Sequence, residues 1–524
     1  MNLSKSKYRR GKQCTKMLWM DQNKRDWYEE TAVPGAFETG NMVGDLAMQY
    51  FGDFVEVPRE LGNVGMIEKT KELIAAGTTV ICEASFAFDG NFCSVDILRK
   101  VDGGYELIEV KSSTDKEEVK DKETREGTGV FRKKPVKGID LYDMAYQYYV
   151  LTKSGLHVRR VSIMRLHKEY TFKDALDIQK LFVLDDCTEL VQKLQAEVAD
   201  DIDMMKDIAM LDIEPSTLVG TRCDNPFTCG YKKWCWRPEA VPSPNVFDIG
   251  FRLHWTRKKK AFAEKLSFAD ILDAADEMNL NLGQRKQVQA ILNPELGPAV
   301  EVDEIRQFLD GLEYPVYHLD FETFDQAIPE YDRVQPYQKI PFQYSLHIQS
   351  EPGAKPIHKY FLAKEGADPR LALAEALYKD IGSQGTVLAW YMPFERGVLE
   401  DLATWFDDPD VYGDMSARFK EIARRKTGRL QDLMIPFEKG HYYRREMGGS
   451  YSIKAVLPAI LGYDPYAELT LIKHGGDAMD AFPTLHKKPQ EEIDEIRQAL
   501  LAYCELDTQA MVWVLEALYE AVEK

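Results

Sequence analysis

No apolar run in this chain reaches the length needed to cross a bilayer, so a helical membrane-spanning role is not expected. The first residues, Met1-Asn2-Leu3-Ser4-Lys5-Ser6-Lys7-Tyr8-Arg9-Arg10, are basic but have no apolar stretch behind them. That pattern lacks the core of a secretory leader and predicts a cytoplasmic protein with no membrane partner. A Gly-rich phosphate loop is missing as well, which leaves ATP use and helicase activity without support. Positive charge is not in surplus: the formal net charge is −19, so a general nucleic-acid coat is not expected. Internal repeats and low-complexity stretches are absent too. What is present is 44% hydrophobic and 29% charged, the make-up of an ordinary globular protein. At 524 residues the chain is too long for one core.

The clearest break is Arg237-Pro238-Glu239-Ala240-Val241-Pro242-Ser243-Pro244, whose prolines cannot continue regular structure. From Phe247 to Leu312 an amphipathic helical pattern follows, with Phe268, Ile271, Leu272, Met278, Val288, Ile291 and Leu292 as its apolar positions. The sequence therefore divides into residues 1–240, a helical connector over 241–312, and residues 313–524.

In the last part, Val316 to Glu322 reads as a strand, so Asp320 and Glu322 point to one face. Glu395 follows at a strand-to-helix turn, in Trp390-Tyr391-Met392-Pro393-Phe394-Glu395. Tyr503 and Asp507 lie one turn apart in a helical pattern from Ile496 to Leu518. Four carboxylates brought to one spot repel unless divalent cations neutralise them. Two-metal phosphodiester hydrolysis uses such a cluster.

This order and spacing resembles the DEDDy group of 3′–5′ exonucleases. The resemblance covers about the last 210 residues and implies an RNase H-like α/β domain. It further implies Asp320, Glu322, Glu395 and Asp507 on Mg²⁺ or Mn²⁺, with Tyr503 positioning the attacking water. Two positions depart from the pattern: Glu395 stands where Asp is usual, and Tyr391 where Asn is common. Asp432 sits where such folds carry a further polar residue and is assigned no catalytic role.

The first part contains two strand patterns, Val95 to Val101 and Tyr105 to Lys111, around Asp102-Gly103-Gly104. With Asp102-Gly103 as a two-residue loop, Val101 faces Gly104 and Asp96 falls opposite Glu109, with Lys111 on the same face. Two carboxylates and a lysine so placed suit metal-assisted phosphodiester hydrolysis. A solvent-facing cross-strand ion pair is the competing reading.

Of the eight cysteines, Cys82, Cys93, Cys187 and Cys504 fall in apolar or mixed patterns and read as small core residues. Cys14 stands alone early, and Cys223, Cys229 and Cys235 form a C-x5-C-x5-C run. Four thiolates hold zinc or an iron–sulfur cluster, and spacing alone does not choose. The tight two-residue pairs favoured by zinc are absent, and the one-plus-three arrangement suits a cluster.

Residues 1–240 resemble the iron–sulfur members of the RecB/AddB-type PD-(D/E)XK nucleases. That resemblance implies a restriction-endonuclease-like domain, Asp96 and Glu109 as metal ligands, Lys111 as a catalytic residue, and a [4Fe–4S] cluster on Cys14, Cys223, Cys229 and Cys235. Gln147 falls near the family's later Gln. Gly44 stands where that family often has His, leaving Asp45 or Glu83 as further acidic candidates.

The whole chain resembles a bacterial family of RecB-like nucleases with a fused RNase H-like domain. It implies a metal-dependent nuclease with two active sites, acting on DNA, in repair, recombination or antiviral defence. RNA as substrate is one alternative. A nucleic-acid-binding scaffold with one or both sites degenerate is the other, and protein partners are undetermined.

Overall fold

The computed structural model describes residues 2–31, 35–121 and 127–523. It is an α/β protein whose main sheets mix parallel and antiparallel strands. The chain divides into two compact units, Met1–Val119 with Gly129–Val241 and Gln326–Tyr337, and Lys120–Thr128 with Pro242–Asp325 and Gln338–Lys524. Among the described residues no helix is long and apolar enough to cross a membrane.

The first unit is built on a seven-stranded sheet. Its path runs β1 (Val80–Phe88), β2 (Asn91–Val101), β3 (Gly104–Thr114), β4 (Val158–Leu166) and β5 (Phe182–Asp186), with Val55–Glu56 beside β1 and Leu3–Ser4 beside β2. Apolar residues cover both faces. Leu107, Met144 and Tyr146 belong to one buried cluster, and Ile97, Ile108 and Met164 to another. β2 and β3 form the expected hairpin, with Val101 opposite Gly104 and Ile97 opposite Ile108. The ladder then opens, because the Val110 N–H donates to the Asp96 carboxylate at 2.7 Å. Two helices carry further site residues. In α1 (Lys5–Gln13) the Ser4 hydroxyl accepts from the Lys7 N–H and caps the first turn. The helix α2 (Gly138–Lys153) is part of the crossover between the parallel strands β3 and β4.

The second unit has a five-stranded sheet. Its strands are β6 (Val316–Phe324), β7 (Ile340–Gln349), β8 (Ile357–Leu362), β9 (Val387–Ala389) and β10 (Leu430–Asp432), in the spatial order β8-β7-β6-β9-β10. The β6/β7 and β7/β8 pairs are antiparallel, whereas β6/β9 and β9/β10 are parallel. Central placement explains why β6 is buried along almost its whole length. A bulge interrupts its pairing with β7 between Glu322 and Thr323. Three helices matter for the site: α3 (Met392–Trp405), α4 (Ile453–Leu461) and α5 (Gln490–Glu523). The last of these lies on the sheet, where its Leu500 carbonyl accepts from Gln343 at 2.9 Å.

Residues 242–312 are grouped with the second unit. They hold four short α-helices and one 3-10 turn, and Ile271 and Val288 are buried in their own core. Leu292, expected on the apolar face, is instead exposed because it ends its helix. The segment lies against residues near 440–450: Lys286 donates to the Gly440 carbonyl at 2.8 Å.

Gly385, just before β9, has φ 89 and no room for a side chain, since a Cβ there would lie 2.0 Å from the Pro315 carbonyl oxygen. Gly385→Ala is therefore expected to destabilise the second unit by about 2–4 kcal/mol, through backbone strain and overpacking. A urea titration measures it, and a change below about 0.5 kcal/mol would refute the close approach.

Candidate metal centres

In the second unit, Asp320 and Glu322 project from the central strand β6, and Glu395 from the first turn of α3. Tyr503 and Asp507 come from α5. These side chains converge. Asp320, Glu322 and Cys504 bring ligand atoms within 4.8 Å of one another. Glu395 feels the charges of Asp320 and Glu322. Asp507 accepts from Tyr466 at 2.6 Å and also from Tyr503.

Burial raises the pKa of all four acids, and repulsion from neighbouring carboxylates adds to it for Asp320, Glu322 and Glu395. Lys454 on α4 offsets part of this. Its ammonium lies 3.2 Å from the Tyr503 hydroxyl and over the rings of Tyr466 and Tyr503. Glu395 is 2% exposed, and its Oε2 has no hydrogen-bond partner. A buried carboxylate oxygen left without a donor, among three other acids, suits a hard divalent cation.

Three neighbours of this cluster did not stand out in the sequence as site residues. Cys504, expected as core, donates its thiol toward Asp320 at 3.7 Å. Lys454 and Tyr466 lie in segments without a motif. Asp432 accepts from the backbone N–H groups of Tyr391, Met392 and Met434 at 3.0–3.2 Å. It thereby fixes the turn at which Tyr391 takes φ 73 and α3 begins. His318 bonds Gln349 at 3.0 Å, and burial lowers its pKa to about 4.

In the first unit, Asp96, Glu109 and Lys111 are also brought together. Glu109 is ion-paired with Lys111 and accepts from Gln147 at 2.7 Å. Two residues missed in the sequence complete the group. Lys5 on α1 bridges Glu109 at 3.0 Å and Asp96 at 3.6 Å. Asp143, one turn before Gln147 on α2, pairs with Lys111 at 3.3 Å and with Arg9 at 3.4 Å. Burial and then Glu109 push Asp96 up to about 6. Burial would raise Glu109 too, but Lys111 and Lys5 hold it below the usual range. Three acids thus face three bases, and the Lys5 ammonium stands where a cation would bridge Asp96 and Glu109. Asp45 is exposed on the helix Ala36–Met48, and Glu83 is paired with Arg59 at 2.7 Å.

Cys14, Cys223, Cys229 and Cys235 line one cavity of the first unit. Burial raises the pKa of Cys14, Cys229 and Cys235, Cys229 to about 11, and the thiols sense one another's charge. Cys14 ends α1, while Cys229 donates its N–H to the Cys223 carbonyl at 2.8 Å. Among the described residues, the groups with three ligand atoms inside 4.8 Å are Asp320, Glu322 and Cys504, and His347, His358 and Glu505.

The raised acids set a pH dependence. They bind protons more readily folded than unfolded, so the cation-free protein loses stability as pH rises past about 4. Its unfolding temperature is expected to fall between about pH 5 and pH 8, with Mg²⁺ or Mn²⁺ restoring more at the upper end. A profile that is flat and indifferent to both cations would contradict this.

Residues 317–452 match a family described as Domain of unknown function (DUF2779). No curated protein and no solved structure matches the chain.

Proposed function

We propose that this protein is a metal-dependent nuclease that hydrolyses phosphodiester bonds of DNA, with its principal site in the second unit. The observation that carries this reading is the convergence of Asp320 with buried Glu322, Glu395 and Asp507 beside the Tyr503 hydroxyl. The strand order β8-β7-β6-β9-β10, antiparallel on one side of β6 and parallel on the other, supports an RNase H-like domain of the DEDDy kind. For the first unit, the β2–β3 hairpin bearing Asp96, Glu109 and Lys111, with Gln147 on Glu109, supports a PD-(D/E)XK domain.

When bound at the four acids of the second unit, a divalent cation supplies charge neutralisation at the phosphate and an acidified water. The remaining work falls to the chain. Burial, and after it Asp507, raises the Tyr503 pKa, so its phenol keeps its proton. With its O–H given to Asp507, Tyr503 holds water through an oxygen lone pair and does not act as a base. Beside Asp432, a cavity of about 600 Å³ lined by Arg396, Arg424, Arg425 and Lys426 offers cationic groups to a nucleic-acid backbone. Arg429, close by in sequence, is engaged by Glu421 and backbone carbonyls.

The balanced charges around Lys5 favour a second reading for the first unit alone. There, Asp96, Glu109 and Lys111 form a structural ion-pair network, and only the second unit is catalytic. The test compares wild type, Lys111→Ala and Asp320→Asn on end-labelled single-stranded DNA, duplex DNA and RNA with Mg²⁺ or Mn²⁺. Asp320→Asn is expected to remove 3′-end trimming by on the order of 10²-fold or more. Lys111→Ala is expected to remove a separate product pattern. An unchanged pattern in Lys111→Ala supports the ion-pair network, and no cation-dependent cleavage by wild type overturns the nuclease reading.

The gathering of all four cysteines on one cavity, in a one-plus-three order without tight two-residue pairs, supports a [4Fe–4S] cluster over zinc. Anaerobically purified protein is expected to carry iron and acid-labile sulfide in equal amounts, and Cys229→Ser to lose both. Zinc in place of iron would reverse the assignment.

A further inference from the structure

On the same sheet as the acid cluster, β7 and β8 place His347 directly opposite His358. The two imidazoles lie 4.4 Å apart and nearly parallel, at 15°. Glu505 on α5 sets its carboxylate 3.5 Å from His358 Nδ1. None of these three residues takes part in the proposed hydrolysis.

A chain of hydroxyl groups ties both rings to α5. Thr508 Oγ1 donates to the carbonyls of its own helix, with Glu505 O at 3.1 Å and Cys504 O at 3.4 Å. The same oxygen lies 2.6 Å from Ser345 Oγ and 2.8 Å from His347 Nδ1. Ser345 Oγ in turn lies 2.9 Å from His358 Nε2. One nitrogen of each ring is thus held by a hydroxyl, and the other, His347 Nε2 and His358 Nδ1, stands outside this chain.

Burial lowers the pKa of both rings, that of His347 to about 3, which favours the neutral imidazoles that ligate metals. The three residues already bring ligand atoms within 4.8 Å of one another. Glu505 is exposed and can rotate to close the remaining distance. Two imidazole nitrogens and one carboxylate oxygen form a donor set for a borderline transition metal, with water completing the shell. The hydroxyls of Thr508 and Ser345 are the supporting contacts that ligating imidazoles require.

We propose that His347, His358 and Glu505 form a separate binding site for one divalent transition-metal ion of the zinc type, which clamps α5 to the β7–β8 pair. Thr508, the hub of the hydroxyl chain, directly follows Asp507, so occupancy steadies the stretch of helix that presents an acid to the hydrolytic centre.

The experiment uses full-length protein with Zn²⁺ as the probe. Equilibrium dialysis with metal analysis, and thermal unfolding with and without Zn²⁺, are compared for wild type, His358→Ala, Glu505→Gln and Asp320→Asn. Wild type is expected to bind one more Zn²⁺ than His358→Ala. The Zn²⁺-dependent rise in unfolding temperature should persist in Asp320→Asn, weaken in Glu505→Gln and vanish in His358→Ala. Equal Zn²⁺ stoichiometry in wild type and His358→Ala overturns the proposal. So does a loss of stability in His358→Ala that is the same with and without Zn²⁺, because a plain ion pair with Glu505 would behave that way. Neither readout depends on nuclease activity.

Discussion

Repulsion among buried carboxylates is the constraint around which the second unit is organised. Two such charges about 4 Å apart cost on the order of 4 kcal/mol at the effective dielectric near a protein surface. The chain opposes this by rooting the acids in different elements. Asp320 and Glu322 stand on the central strand of the sheet, flanked on both sides. Glu395 stands on a helix whose start is held by two backbone hydrogen bonds to Asp432. Asp507 stands on a helix that crosses the same sheet. The backbone of each acid is thus anchored in an element packed on its neighbours, and the raised pKa values register the repulsion.

The first unit meets the same problem in another way. Its three acids are matched by Lys5, Lys111 and Arg9, drawn from one strand and one N-terminal helix. The arrangement is neutral as it stands, whereas the cluster on β6 is left acidic with Lys454 at its margin. Two collections of Asp and Glu that look alike in a sequence thus differ in what they ask of their surroundings. One is matched in charge by neighbouring bases, and the other is left with an excess of acid.

Much of this was legible from residue order. The Asp102-Gly103 turn set the β2–β3 register, and period-two and period-3.6 patterns placed Asp320, Glu322, Tyr503 and Asp507 on the right faces. The rest was hidden for physical reasons. Lys5 reaches Glu109 across 104 positions of sequence, and Lys454 reaches Tyr503 across 49. No local period encodes such meetings. Cys504 has the pattern of a core residue and is indeed buried, yet its thiol lies against Asp320. Burial and participation in a site cannot be told apart by hydropathy. The opening of the hairpin at Asp96 was equally invisible, because it depends on a side chain competing for a backbone N–H.

The 34-residue helix that ends the chain touches two polar centres from different sides of its barrel. Asp507 is tied to Tyr466 on one flank, and Glu505 meets His358 on another. A turn of the helix about its axis moves these flanks in opposite directions, and a slide along the axis carries both off their partners together. One angular setting and one axial position therefore satisfy both contacts at once. The helix is registered at two points, like a key cut on two edges, and a side-chain change on one edge will be felt on the other as misalignment.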